Sequence, residues 1–143
     1  DASGAVAGTV SGTECTGPLH VYADNGVHEV TVAVTDKDAG TGTSLPTVHQ
    51  VSNVAPVTGE IVGLPAGPVP VGTVVSAEAA FTDAGGLDLH TGQWDGGDGL
   101  PVAGTVVEAG GSGTISGAHR YTAAGVYSVT VSVRDQDGGE EER

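Results

Sequence analysis

Apolar residues in this chain come in short alternating runs. In Tyr127-Ser-Val-Thr-Val-Ser-Val133, Tyr127, Val129, Val131 and Val133 fall on one side of an extended backbone and Ser128, Thr130 and Ser132 on the other. That is the period-two pattern of a strand with one face in a core and one in water. Valine supplies most apolar positions, Thr and Ser alternate with it, and glycine interrupts the pattern at short intervals. Such a sequence builds short strands joined by turns, and it predicts an all-β protein.

The pattern occurs twice. His20-Val-Tyr-Ala-Asp-Asn-Gly-Val-His-Glu-Val-Thr-Val-Ala-Val-Thr-Asp-Lys-Asp-Ala-Gly40 aligns with His119-Arg-Tyr-Thr-Ala-Ala-Gly-Val-Tyr-Ser-Val-Thr-Val-Ser-Val-Arg-Asp-Gln-Asp-Gly-Gly139 at a constant offset of 99 residues. Upstream, Val6-Ala-Gly-Thr-Val10 aligns with Val102-Ala-Gly-Thr-Val106 at an offset of 96, which predicts a loop three residues longer in the second copy. A repeat of this length is a tandem domain, not a solenoid unit. Residues 1–52 are expected to be the C-terminal part of a first module. Residues 53–143 are expected to be a second module that lacks most of its last strand, with strands near 57–62, 72–82, 90–95, 102–108, 112–121 and 126–134. The chain opens at Asp1 without an initiator methionine or a signal-peptide pattern, as a piece of a longer protein would. The linker Val51-Ser-Asn-Val-Ala-Pro56 is short and restricted by its proline, which favours a semi-rigid connection.

Charge then removes several functions. Among 143 residues, 18 are acidic and 4 basic, for a formal charge of -14. With Lys37, Arg120, Arg134 and Arg143 as its fixed cations, the chain cannot build the positive track that nucleic acid or an anionic membrane surface requires. No apolar run is long enough for membrane insertion. Cationic ligands, metal ions above all, remain suitable. The single Cys15 excludes an internal disulfide and a multi-cysteine zinc site, and it reads as a small half-buried side chain.

Three motifs follow in order in the second copy. They are Trp94-Asp-Gly-Gly-Asp-Gly99, His119-Arg-Tyr121, and Gly125-Val-Tyr-Ser-Val-Thr-Val-Ser-Val-Arg-Asp135. Together they resemble the polycystic-kidney-disease (PKD) repeat, an immunoglobulin-like β-sandwich of secreted and cell-surface proteins. The resemblance covers about 90 residues in the second copy, and the later half of a domain in the first. It implies tandem immunoglobulin-like sandwich modules, the first partial, in an extracellular or cell-surface protein. One position departs: the family usually has an aromatic residue where this chain has Gly96. Trp94 is expected to anchor the core, and Asp98 to bond amides in a glycine-rich turn.

The carboxylates are the candidates for site chemistry. Asp83 and Asp88 follow the second strand, Asp135 and Asp137 follow the sixth, and Asn53 precedes the first. In an immunoglobulin-like topology these places share one pole. Hard oxygen donors gathered in loops suit Ca²⁺, which accepts six to eight oxygens in loose geometry, and the resemblance implies calcium at the same pole. Asp36 and Asp38 are the equivalents in the first copy. The competing reading is that these aspartates are solvated turn formers.

Other chemistry finds little support. Gly96-Gly-Asp-Gly-Leu100 is one unit of a calcium-binding roll that requires several. His20, His28, His49, His90 and His119 have no paired metal spacing. Asp95 and Asp98 sit in a tight turn without a sugar platform, and no hydrolase or metalloprotease signature occurs. The reading is a non-catalytic structural or adhesive module whose partners are neighbouring repeats or identical chains, stiffened by calcium. The alternatives are an accessory module that binds polysaccharide or protein, and a filament subunit assembled by strand complementation.

Overall fold

The computed structural model describes residues 4–143; residues 1–3, at the start of the expected first module, lie outside the described residues. The described residues form fourteen strands and no helix. They divide into two units, Asp1–Ser52 and Asn53–Arg143.

The first unit consists of paired ribbons. β1 (Thr9–Ser11) and β2 (Glu14–Thr16) form a hairpin. β3 (Gly26–Val30) and β4 (Ala33–Thr35) run on to β5 (Thr41–Thr43) and β6 (Thr47–Val51), with β4 paired to β5 and β3 to β6. No hydrophobic residue is buried among the described residues of this unit, and Val27 on β3 is 68% exposed. Cys15, on β2, is exposed rather than half-buried, because its ribbon pairs with no third strand.

The second unit is a two-sheet sandwich. Its strands are β7 (Val57–Val62), β8 (Val74–Thr82), β9 (His90–Asp95), β10 (Val102–Ala103), β11 (Thr105–Ala109), β12 (Ser112–Arg120), β13 (Thr130–Asp135) and β14 (Glu140–Glu142). One sheet has the order β11-β12-β8-β7 and the other β10-β9-β13-β14, the strand arrangement of an immunoglobulin-like sandwich. Alternation places Ala79 and Phe81 of β8, Trp94 of β9, Ile115 of β12, and Val131 and Val133 of β13 in the space between the sheets. Glycine makes room for the largest of these side chains. A Cβ on Gly117 would lie 2.4 Å from Trp94 Cδ1, so the indole packs directly on the β12 backbone.

Several expectations change in detail. The strand read near 102–108 is two strands, because the chain leaves one sheet for the other at Gly104, whose N–H bonds Gly92 O at 2.8 Å. The longer second copy has no longer turn. Gly12–Thr13 and Gly110–Gly111 are both two-residue connections, and the additional residues lengthen the strands. The strand read at 126–134 starts only at Thr130. Only a short piece of the last strand follows, β14, as the reading of 53–143 expects; it pairs Glu140–Glu142 with Ser132–Arg134, and side chains here reach the first strand: Glu141 accepts from Thr58 N, and Arg143 Nη1, just after β14, donates to Thr58 O at 3.2 Å.

In the Trp94-Asp-Gly-Gly-Asp-Gly99 turn, the amide-bonding aspartate is Asp95, whose Oδ1 accepts from Gly97 N at 2.7 Å. Asp98 pairs instead with His119 Nε2 at 2.8 Å. A Cβ on Gly96 would meet the His119 ring at 3.0 Å, so the imidazole occupies space that a side chain at 96 would enter.

Candidate metal centre

The end of the sandwich where β8 leaves and β13 finishes is acidic and buried. Asp83, Asp88 and Asp135 each bring a carboxylate oxygen within 4.8 Å of the others. They come from the loop after β8, the residue two before β9, and the last residue of β13. The inward parity of β9, fixed by Trp94 and carried through Gly92 and His90, turns Asp88 inward too. The loop therefore buries Asp88, 5% exposed, between Leu87 and Leu89, which are 65% and 66% exposed. This inversion is costly, because a buried carboxylate requires compensating partners and two exposed leucines forfeit their burial.

Glycine shapes the cradle. A Cβ on Gly85 would lie 2.0 Å from Asp88 Oδ2, and one on Gly139 would lie 2.3 Å from Asp135 Oδ2. Each carboxylate is thus seated against a backbone that any other residue would obstruct.

Asp135 divides its two oxygens. Oδ1 accepts from Asp137 N at 2.9 Å and Gly139 N at 2.8 Å, while Oδ2 accepts from Asn53 Nδ2 at 2.8 Å. Burial pushes the Asp135 carboxyl up, but the Asn53 amide and the backbone N–H groups of Gly139, Asp137 and Gly138 outweigh it and hold the group below its ordinary value. In the first unit, Asp36 Oδ1 likewise accepts from Asp38 N and Gly40 N.

Asp83 is held through both of its oxygens. Its Oδ1 accepts from Gly85 N at 2.7 Å, and its Oδ2 lies 3.0 Å from His90 Nε2. The opposite ring nitrogen, His90 Nδ1, is 2.6 Å from Glu108 Oε2, and Glu108 Oε1 accepts from His90 N at 3.1 Å. The imidazole is fully buried, and its centroid lies 4.7 Å from that of Phe81. Burial lowers the basicity of His90, but the hydrogen bonds and charges of Asp83 and Glu108 overcome it and raise its pKa above the ordinary value. A carboxylate thus faces each ring nitrogen, an arrangement that favours the protonated ring.

All five sequence candidates meet here in different ways. Asp83, Asp88 and Asp135 form the cluster; Asp137, exposed, has a carboxylate oxygen within 4.8 Å of that of Asp88; and Asn53 holds Asp135. Glu108 is not among the sequence candidates, and His90 enters only as a histidine without a paired metal spacing. The signal for both was parity: Glu108 shares a face of β11 with Val106, and His90 shares a face of β9 with Trp94. Three carboxylates, two of them seated against glycines, form a hard oxygen donor set that suits an oxygen-seeking divalent cation.

Two stacked four-stranded sheets in this order define an immunoglobulin-like module. A family model described as the PKD domain matches residues 53–143, and the chain belongs to that family. No match was found among curated proteins. No helix among the described residues is long and apolar enough to cross a membrane.

Proposed function

We propose that the chain is a non-catalytic structural module of an extracellular or cell-surface protein, that it spaces or joins larger units, and that its acidic pole binds calcium. PKD domains are generally non-catalytic, and the internal repeat supports a role in an array. The calcium reading is carried by one observation: the Leu87-Asp88-Leu89 loop exposes its leucines and buries its aspartate against Asp83 and Asp135. Asp83, Asp88 and Asp135 would hold the ion, Asn53 would orient Asp135, and Asp137 would lie at the rim. A bound divalent cation would offset the repulsion of the gathered carboxylates and fix the residue at which the module begins.

Ligand linkage gives the size of the effect. Calcium at a hundredfold excess over its Kd adds about 2.7 kcal/mol to stability, which raises the Tm of a domain this size by on the order of 10 °C. Thermal unfolding with calcium, with magnesium and with chelator tests this directly. Equal Tm values in calcium and chelator, with no ion retained after dialysis, would remove the calcium site. Retention of the chain on insoluble polysaccharide would replace the spacing role by an accessory binding role.

A further inference from the structure

The three clustered carboxylates are held in different ways. Asp135 is held by its own turn and by Asn53. Asp88 is seated on Gly85, whose carbonyl accepts from Asp88 N at 3.0 Å. Asp83 depends on the strands behind it. Its backbone N donates to Gly111 O, in the turn between β11 and β12, at 2.6 Å, and its Oδ2 meets His90 Nε2 at 3.0 Å.

The imidazole stands in a place prepared by register. Glu108 of β11 lies opposite Gly113 of β12, and Gly113 lies opposite Phe81 of β8. The missing side chain in the middle of this row leaves space for the phenyl ring: a Cβ on Gly113 would lie 2.7 Å from Phe81 Cζ. His90 enters from the facing sheet with its ring tilted 48° to that of Phe81. Glu108 then meets residue 90 twice, with Oε2 at 2.6 Å from Nδ1 and Oε1 accepting from the backbone N at 3.1 Å. One carboxylate therefore fixes both the ring and the backbone that carries it, and the opposite nitrogen is aimed at Asp83. The side chains of His90 and Asp83 are fully buried, so solvent does not substitute for the bond between them.

This bond bears on two ligands. Asp83 Oδ1 accepts from Gly85 N, and Gly85 is the residue whose backbone seats Asp88 Oδ2. The direction of Asp83 and the seat of Asp88 thus share one joint. A carboxylate oxygen that accepts one N–H keeps a second lone pair, so Asp83 can face a cation while bonded to His90. Without that bond, repulsion from Asp88 and Asp135 would turn Asp83 out of the cluster.

We infer that Glu108 and His90 are positioning residues for the divalent cation: Glu108 fixes the imidazole, and the imidazole aims Asp83, without either being a ligand. The inference rests on the calcium reading above and adds to it a determinant on β11, a strand that supplies none of the clustered carboxylates. Residues that orient metal ligands in this way are worth about 10- to 100-fold in affinity.

The test is calorimetric titration of the full chain and three variants with calcium, joined to hydrogen exchange at the Gly85 amide in chelator. Glu108→Gln should weaken calcium binding about tenfold or more. His90→Asn, which keeps a nitrogen toward Glu108 but is too short to reach Asp83, should weaken it at least as much. His90→Gln, whose amide nitrogen extends as far along the side chain as the imidazole Nε2, should bind within about threefold of the parent. Exchange at Gly85 should quicken about tenfold in Glu108→Gln and His90→Asn, and much less in His90→Gln. If the His90 variants do not fold, Glu108→Gln, at a side chain that is 20% exposed, decides the matter by the same two measurements. A parent that binds calcium beside variants that all bind equally well overturns the inference and leaves the calcium reading standing. Equal losses in His90→Asn and His90→Gln, with Gly85 exchange unchanged, also overturn it, by reducing His90 to packing. A parent that binds no calcium removes the reading and this inference with it.

Discussion

Asp36 and Asp135 hold the same turn with the same atom. Each uses Oδ1 to accept backbone N–H groups two and four residues ahead, at 2.9 and 2.8 Å in both units. In the second unit the other oxygen is engaged by Asn53 and lies among further carboxylates. The turn-forming and metal-binding readings of the Asp-x-Asp-x-Gly sequence are therefore not rivals, because one carboxylate can serve both.

That division predicts a separation by substitution. Asp135→Asn keeps a carbonyl oxygen for the turn and removes the charge, so folding without metal should persist with a loss of about 1 kcal/mol while the calcium-induced rise in Tm disappears. Asp135→Ala removes both functions and should unfold earlier even in chelator. Denaturation of the two variants with and without calcium distinguishes them; equal calcium responses in Asp135→Asn and the parent would show that this carboxylate is not a ligand.

Gly85→Ala tests the cradle. Its new methyl would stand 2.0 Å from Asp88 Oδ2, so the buried carboxylate or the loop has to move. The expected cost is about 1–3 kcal/mol, with weaker calcium affinity, both measurable by denaturant titration and calorimetry. Parent-like stability and affinity would mean that the loop accommodates the methyl freely.

His90 predicts a dependence of stability on pH in chelator. Its pKa is raised in the folded state by Asp83 and Glu108 against the opposing effect of burial. A raised folded pKa gives a stabilisation that is fully present below the unfolded value of about 6.5 and is lost as pH rises through the folded value. Unfolding free energy should fall across that window on the alkaline side, and His90→Gln should flatten the dependence. A parent curve as flat as that of His90→Gln would contradict the bridged imidazolium.

Backbone conformation makes a further prediction. Gly138 has φ 95°, and its counterpart Ala39 has φ 68°. The turn therefore tolerates a methyl group at a left-handed position, at a cost of about 1–2 kcal/mol. Gly138→Ala should destabilise by that amount and still fold. Gly97→Ala should cost more, because φ is 79° and its Cβ would also lie 2.4 Å from Ser128 O. Comparable losses in the two variants, measured by urea unfolding, would count against the steric argument.

The sandwich was legible because alternating valines and an internal repeat report directly on strands and their pairing. Val131 and Val133 take core positions that their alternation predicts, and Trp94 takes the anchoring position that the motif implies. The strand limits were less legible. The crossing at Gly104 depends on which sheet each half joins, and the start of β13 at Thr130 on where β9 ends, at Asp95 opposite it, neither of which is a local property. Tyr127, placed on the core side of its run, is half-buried and stacked on Tyr121. The acidic residues could be placed at one pole from topology alone. His90 and Glu108 escaped because a buried ion pair looks in sequence like two surface residues until the parity of their strands is carried through from Trp94 and Val106.

The shared turn of Asp36 and Asp135 bears on how repeats of this kind diverge. Because the carboxylate closes the backbone by itself, a copy can lose every other ligand and still retain its aspartates for folding. The motif then records ancestry of shape, and a lineage could shed or regain an ion without altering it. Metal dependence among such repeats is better sought at the residue that seats Asp88, Gly85, and at the one that engages Asp135 from the opposite end of the chain segment, Asn53.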